Sequence, residues 1–190
     1  MTQARDIIVI GASLGGLEAL CRLVRGFSAD LPAAVLIVLH TSRQSPRLLA
    51  NIIGQHTSLS VSYGRQGDTI KPGHAYFAPP DLHLVVVAPG FLMLRAGPKV
   101  HFSRPAADVL FQSAAEVYGP RVIGVVLTGG DHDGTEGLRR IKAAGGVSVV
   151  QDSSEARDPI MPRSALIGGH PDHQVSLDEM AALLTRLTAR

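Results

Sequence analysis

Short apolar runs alternate with stretches of helical periodicity along most of this chain. Four runs rich in valine and isoleucine show no polar alternation, at residues 7–10, 35–39, 122–127 and 147–150. Strands that are buried on both faces, as in parallel sheets, have such unbroken apolar sequences. The pattern therefore predicts four buried, parallel strands.

Helical spacing of apolar residues follows the first three of these runs. The three sets are Leu17, Leu20, Cys21 and Val24; Leu48, Leu49, Ile52 and Ile53; and Leu138, Ile141 and Ala144. Repeated strand–helix units predict an α/β fold, with a doubly wound, mostly parallel sheet flanked by helices in three layers, αβα.

Two further segments complete the predicted architecture. Residues 84–88 and 91–95, joined by Pro89-Gly90, predict an antiparallel hairpin inserted in the middle of the chain. Ser176 and Glu179 have the spacing of a capping box ahead of an apolar periodic segment, which predicts a terminal helix. Because no repeat or linker divides the chain, we expect residues 1–190 to form a single domain.

Composition narrows the class of protein. The net charge is only +2 and the basic residues form no block, so a nucleic-acid partner is not indicated. Cys21 is the single cysteine, which excludes an internal disulfide framework. The sequence has neither a signal-peptide pattern nor an apolar run of membrane-spanning length, so we expect a cytoplasmic protein without membrane insertion.

Three residues whose side chains can take part in catalysis follow three of the predicted strands. Ser13 lies in a glycine turn after the first strand, His40 follows the second, and Asp133 lies in the loop after the third. Ligands of open α/β sheets bind at the carboxyl ends of the strands. A serine nucleophile, a histidine base and an orienting carboxylate together perform acyl transfer. The order serine, histidine, aspartate differs from that of α/β-hydrolases, in which the acid precedes the histidine.

Each of the three residues also has a structural interpretation. Ser13 could cap the first helix, His40 could be a buried, hydrogen-bonded histidine, and Asp133 could cap the helix that follows it. The glycines at 11, 15 and 16 also resemble a dinucleotide-binding loop, although they do not match G-x-G-x-x-G. We predict no metal and no organic cofactor, and interpret residues 170–173 as a surface loop despite their two histidines.

A series of motifs occurs in order along nearly the whole chain. The series comprises Gly11-Ala12-Ser13-x-Gly15-Gly16, the strand that ends in His40, Ala78-Pro79-Pro80-Asp81-x-His83, Arg104-Pro105-x-x-Asp108, Leu127-Thr128-Gly129 through Asp133-Gly134, Gln151-Asp152 and Met161-Pro162-Arg163. This ordered series resembles the catalytic domain of the chemotaxis protein-glutamate methylesterases, CheB.

The resemblance implies a reaction and a set of site residues. It implies hydrolysis of glutamate γ-methyl esters on the helical cytoplasmic region of chemoreceptors, with deamidation of receptor glutamines in some members. Ser13 would be the nucleophile, His40 the general base and acid, and Asp133 the orienting carboxylate. The family position for an oxyanion-binding amide is Gly130, to which geometry adds Leu14 and Gly15 at the start of the first helix. The expected substrate rim consists of His83, Met161 and Arg163.

The chain also departs from the family pattern. Family members usually carry an N-terminal receiver domain, whereas the first strand here begins at Ile7, so we expect no receiver domain and regulation by a separate response regulator or methyltransferase. The family loop Gly-Met-Gly-x-Asp-Gly is Gly129-Gly130-Asp131-His132-Asp133-Gly134 in this chain.

An alternative function is a non-catalytic signalling module of the same fold. For Asp108 we expect a structural role, and Arg104 could pair with it at a helix start.

Overall fold

A computed structural model describes residues 4–189 of the chain. The strands among these residues are β1 (Ile7–Ala12), β2 (Ala34–Leu39), β3 (Ser60–Tyr63), β4 (His74–Phe77), β5 (His83–Val87), β6 (Phe91–Arg95), β7 (Val122–Val126), β8 (Val147–Gln151) and β9 (His173–Val175). The helices are α1 (Gly16–Val24), α2 (Leu49–Gly54), α3 (Ala107–Tyr118), α4 (Thr135–Ala143), α5 (Ile160–Ser164) and α6 (Leu177–Thr188).

Seven of these strands form one parallel sheet. They pair in the order β3-β4-β2-β1-β7-β8-β9. β1 is fully buried and lies between β2 and β7, with Ile10 beside Ile37 on one side and beside Val125 on the other. The four strands predicted from unbroken apolar runs are thus confirmed, and they occupy the middle of the sheet.

Helices cover both faces of the sheet. On one face α1 and α6 bury side chains such as Leu20, Leu23 and Leu184 against the strands. On the other face α3 and α4 bury Phe111 and Ile141. Alternate residues of each strand point to opposite faces, so an all-apolar strand serves both cores at once. The predicted three-layer αβα arrangement is confirmed.

The predicted hairpin is also confirmed. β5 and β6 pair antiparallel, separately from the main sheet, and Gly90 in their turn has a φ of +128° that favours glycine. The hairpin packs on α3, where the Ser113 hydroxyl accepts a hydrogen bond from the Val86 amide at 3.0 Å. The capping box of α6 is present as well, with Ser176 and Glu179 in reciprocal contact.

Three short strands were missed by the sequence analysis. β3, β4 and β9 contain three or four residues each and carry polar side chains. The interpretation of residues 170–173 as a surface loop is wrong in part, because His173 begins β9. Asp172 accepts hydrogen bonds from both the amide and the hydroxyl of Ser148 at 2.8 Å. Strands of three or four residues are too short to show a periodicity that a sequence reading can detect.

None of the helices in the described range is both long and apolar enough to cross a membrane.

Candidate active site

The three predicted catalytic residues converge at the carboxyl edge of the sheet. Ser13 follows β1, His40 follows the neighbouring β2, and Asp133 lies in the loop between β7 and α4 on the other side of β1. The central strand therefore presents Ser13 between the two loops that carry its partners. The topology explains why residues far apart in sequence meet at this edge.

Asp133 is fully buried and is held by the start of α3. Its Oδ2 accepts a hydrogen bond from the amide of Ala107 at 2.5 Å, and its Oδ1 accepts one from the amide of Asp108 at 2.9 Å. The first amides of a helix have no partner within the helix and favour a negative charge. Asp133 thus caps α3, and its Oδ1 also accepts the amide of Gly134, the N-cap residue of α4, at 3.0 Å, so its carboxylate is fixed in position.

His40 contacts two carboxylates. Its Nε2 lies 2.8 Å from Oδ2 of Asp133, and its Nδ1 lies 3.2 Å from Oδ2 of Asp131. The Ser103 hydroxyl lies 3.4 Å from the same Nδ1. Burial lowers the pKa of His40, but the hydrogen bonds to Asp131 and Asp133 outweigh burial and raise the pKa to about 9.

The Asp131 carboxylate is half-buried and tied into the same loop. Its Oδ1 accepts the Asp133 amide at 2.9 Å. Burial raises the pKa of Asp131, but the hydrogen bonds from His40 and from the Asp133 amide outweigh burial and hold the pKa below its usual value. Both members of this pair are therefore charged at neutral pH.

The Ser13 backbone is held firmly, whereas its hydroxyl is not used to cap α1. The Ser13 amide donates to the Thr128 carbonyl at 2.9 Å, and its carbonyl accepts the Gly16 amide at 2.8 Å. The N-cap of α1 is Gly15, with a φ of +80° and no side-chain cap. The helix-cap interpretation of Ser13 is therefore wrong, and its hydroxyl remains available for chemistry.

Close packing behind Ser13 requires a glycine at position 129. A Cβ atom on Gly129 would overlap the sulfur of Met161 and would lie 2.8 Å from Cβ of Ser13. The Gly129 carbonyl also accepts the Met161 amide at 2.8 Å. Met161 thus packs against the loop that follows β7 and supports it.

Two backbone amides near Ser13 are free to donate. Among residues 4–189, neither the Gly130 amide nor the Leu14 amide hydrogen bonds to another protein group. Gly130 and Leu14 are both exposed, at the rim of the site. Unpaired amides beside a nucleophile are the donors that an oxyanion requires.

Thr128 joins three segments of the site, a role that the sequence analysis did not assign. Its buried hydroxyl donates to the Leu14 carbonyl at 2.9 Å and accepts the Asp158 amide at 2.8 Å. Its own amide donates to Oε1 of Gln151 at 2.9 Å. Thr128 and Gln151 both belong to the motifs quoted from the sequence, but only the folded structure shows that they connect these loops.

The structure corrects two of the three residues expected at the substrate rim. His83 is 3% exposed, with Nδ1 accepting the Ala106 amide at 3.2 Å and Nε2 donating to the Pro98 carbonyl at 2.9 Å. Met161 is fully buried against Gly129. Neither side chain can contact a protein substrate, so both act in support. Arg163 is exposed, as a rim residue must be.

Arg104 and Asp108 do not pair with each other, although the sequence left that pairing open. Arg104 forms an ion pair with Asp81 at 2.6 Å rather than with Asp108. Asp108 accepts the Gly137 amide at 2.7 Å and pairs with His101 at 3.0 Å. Burial and the charge of Asp133 raise the pKa of Asp108. Asp108 therefore links α3 to α4, in agreement with the structural role expected for it.

One group of potential metal ligands includes Asp133 of the site. His101, Asp108 and Asp133 have ligand atoms within 4.8 Å of one another. The carboxylates of both aspartates are already hydrogen bonded to backbone amides. The neighbouring His132 is not part of this group, and its Nδ1 lies 2.7 Å from the Ser164 hydroxyl. The contacts describe a hydrogen-bond network, and we assign no metal to it.

An apolar groove opens beside Ser13. Its volume is about 720 Å³, and Ser13, His40 and Arg157 lie among its lining residues. The apolar part of the lining consists of Leu14, Leu17, Cys21, Leu39, Leu49 and Ile52. A macromolecular substrate can therefore approach Ser13 from an open surface.

Comparison with known proteins shows to which family this fold and site belong. A family model described as CheB methylesterase matches residues 8–184. The crystal structure of the Thermotoga maritima CheB methylesterase catalytic domain superposes with a TM-score of 0.94 at 31% identity, covering 97% of this chain and 100% of that one. The chain therefore belongs to the CheB methylesterase family, whose members are hydrolases.

Individual relatives have closely related names. A Leptospira interrogans protein, provisionally assigned as a protein-glutamate methylesterase/protein-glutamine glutaminase, is 37% identical over 182 residues, which are 96% of this chain and 94% of the relative. Protein-glutamate methylesterase/protein-glutamine glutaminase 2 of Methanosarcina mazei is 37% identical over 193 residues, but this chain spans only 53% of it. The family and the hydrolase class predicted from the sequence are confirmed.

Proposed function

We propose that this chain hydrolyses γ-methyl esters of glutamate side chains on the helical cytoplasmic region of chemoreceptors. The observation that carries the proposal is the convergence of Ser13, His40 and Asp133 at the ends of adjacent parallel strands, with His40 and Asp133 2.8 Å apart. The names of the relatives support the substrate class. A cytoplasmic location of the protein follows from the proposed substrate.

The proposed reaction begins at Ser13. Its Oγ attacks the ester carbonyl carbon while His40 takes the hydroxyl proton, and Asp133 stabilises the imidazolium that results. Because Asp133 holds Nε2, Nδ1 is the nitrogen of His40 left to act as base. His40 then returns the proton to the methoxide leaving group, and methanol departs. Water activated by the same histidine hydrolyses the acyl-enzyme.

The developing oxyanion is bound by backbone amides in this proposal. Gly130 and Leu14 supply the donors, since both amides are unpaired within residues 4–189. Loss of one such donor typically costs about two to three orders of magnitude in rate. The reaction requires neither a metal nor an organic cofactor.

The proposed partner is a helix of the receptor. Arg163 is exposed at the rim and would contact acidic side chains of that helix. Hydrolysis of a glutamine amide at the same position would use the same residues, with ammonia as the leaving group. A separate response regulator or a methyltransferase is a proposed regulatory partner. The relatives are named as enzymes, which argues against a non-catalytic signalling module.

Methanol release from methylated receptor fragments tests this proposal. Ser13→Ala and His40→Ala should each lower turnover by roughly a thousandfold or more, and Asp133→Asn by at least about a hundredfold. Ser28→Ala is the matched control. Ser28 precedes the amino end of β2, at the end of the sheet away from Ser13, so its substitution should leave turnover unchanged. Unaltered methanol release by folded Ser13→Ala protein would refute the proposed nucleophile.

A further inference from the structure

Both ring nitrogens of His40 lie against carboxylates of one loop. Asp133 holds Nε2 at 2.8 Å and Asp131 holds Nδ1 at 3.2 Å. A carboxylate has no proton to donate, so an unprotonated nitrogen would turn its lone pair toward a negative charge, and both contacts favour the protonated ring. The arrangement therefore describes an imidazolium held between two carboxylates.

An imidazolium in this position has no lone pair for Ser13. Among the described residues, no hydrogen bond joins the Ser13 hydroxyl to His40. A general base must reach the proton that it abstracts with a free acceptor atom. His40 can become that base only when Nδ1 is both released by Asp131 and deprotonated.

The two carboxylates differ in how firmly they are held. Asp133 is fully buried and fixed by two amides of α3. The Asp131 side chain is 29% exposed, and its Oδ1 is tied only to the Asp133 amide. Rotation of the Asp131 side chain can therefore free Nδ1 without disturbing the His40–Asp133 pair.

We propose that Asp131 is a positioning residue that holds His40 in a protonated resting arrangement, from which the base is released when the Asp131 carboxylate leaves Nδ1. The inference rests on the proposed function of His40 as the base that serves Ser13. The family loop quoted above has glycine at this position, and Asp131 is a departure from that pattern. Within residues 4–189, the Asp131 side chain hydrogen bonds to the Asp133 amide and to neither Ser13 nor the amides of Gly130 and Leu14.

The electrostatics of the surrounding groups agree with the geometry. Burial disfavours the charged imidazole, yet hydrogen bonds to Asp131 and Asp133 raise the pKa of His40 to about 9. From the segment before α3, Ser103 is a neutral neighbour of Nδ1, and the charge of His101 lowers the pKa of Asp131. From α3 itself, Asp108 faces Asp133 and pairs with His101.

Release of the base has a simple proton balance. Nδ1 loses its proton to solvent as the Asp131 carboxylate turns away. The freed lone pair then accepts the Ser13 proton as Oγ bonds to the ester carbon. That proton later leaves with methoxide as methanol, so no co-reactant other than water is needed.

The pH profile of turnover tests the role of Asp131. In the unaltered protein, kcat/KM should rise with pH toward a midpoint near 9, the raised pKa of His40. In Asp131→Asn and Asp131→Gly the midpoint should move toward the ordinary histidine pKa of about 6.5, and kcat/KM at pH 7 should rise about tenfold or more. Asp131→Asn keeps an acceptor for the Asp133 amide, so it preserves the loop if Asp131→Gly does not.

A direct titration separates this inference from the proposed function. The pKa of His40, followed by NMR of its imidazole nitrogens, should fall in both Asp131 variants whether or not the protein turns over the ester. Asp178→Asn, the same chemical change on an exposed residue of α6, should leave both the pKa of His40 and the rate profile unchanged. An unchanged His40 titration in the Asp131 variants would overturn the inference even if Ser13→Ala abolishes methanol release.

Discussion

At the scale of single residues, the site depends on what lies behind the side chains proposed to be catalytic. Gly129 is required because any side chain there would collide with Met161 and Ser13. Met161 and His83 were predicted to contact substrate, but both are buried and instead support the loops. A motif in a sequence does not distinguish a residue that touches substrate from one that holds it in place.

Substitution of Gly129 by alanine should therefore disturb both the fold and the site. The added methyl group overpacks against Met161, which typically costs about 1–3 kcal/mol of stability, and it displaces Ser13. Urea unfolding should show a lower free energy of unfolding, and methanol release should fall at least about tenfold. Gly54→Ala is the matched control, since its Cβ would lie 3.9 Å from the nearest atom and should cause little change.

At the scale of elements, three loops at the carboxyl edge of the sheet form one unit. The loop after β1, the loop after β7 and the segment after β8 are joined through the Thr128 hydroxyl, which contacts Leu14 and Asp158. Strand pairing places these loops side by side, but the buried hydroxyl fixes their relative positions. A buried hydrogen bond whose partners would be left unsatisfied is costly to remove.

Replacement of Thr128 by valine should consequently loosen this unit. The Asp158 amide and the Leu14 carbonyl would lose their partner, at a cost of about 1–3 kcal/mol in the free energy of unfolding. Turnover should fall because Ser13 and the amide of Leu14 lose their fixed positions. Thr128→Ser keeps the hydroxyl and should restore most of the turnover, whereas equal losses in both variants would mean that the methyl group matters more.

At the scale of the whole molecule, the contacts of His40 join β2 to the loop after β7 and make stability depend on pH. The pKa of His40 is raised to about 9 in the folded protein, above about 6.5 in an unfolded chain. A group with a raised pKa stabilises the fold fully below its unfolded value and loses that contribution as pH rises through the folded value. The contribution of His40 should decline between pH 6.5 and 9.

Urea unfolding across this pH range tests the contribution. The free energy of unfolding should decrease as pH rises from 6.5 to 9 in the unaltered protein. The decrease should be smaller in Asp131→Asn and should disappear in His40→Asn, which has no ionisable ring. If His40→Asn shows the same decrease as the unaltered protein, another group causes it.

The sequence by itself determined the central sheet and the residues that gather at its edge. Short unbroken apolar runs rich in valine and isoleucine favour strands buried on both faces, and parallel strands bring their carboxyl ends together. Ser13, His40 and Asp133 were therefore identifiable without a structure. Local periodicity is sufficient for this, because the information lies within each segment.

Only the tertiary structure decided which residues of the site contact one another. The contact of Asp131 with His40, the capping of α3 by Asp133 and the joining of loops by Thr128 connect residues that are distant in sequence. The short strands β3, β4 and β9 likewise owe their conformation to neighbouring strands rather than to their own pattern. Such contacts depend on loop conformation and on burial, which no single segment of the sequence specifies, because each arises only when the whole sheet brings its loops together.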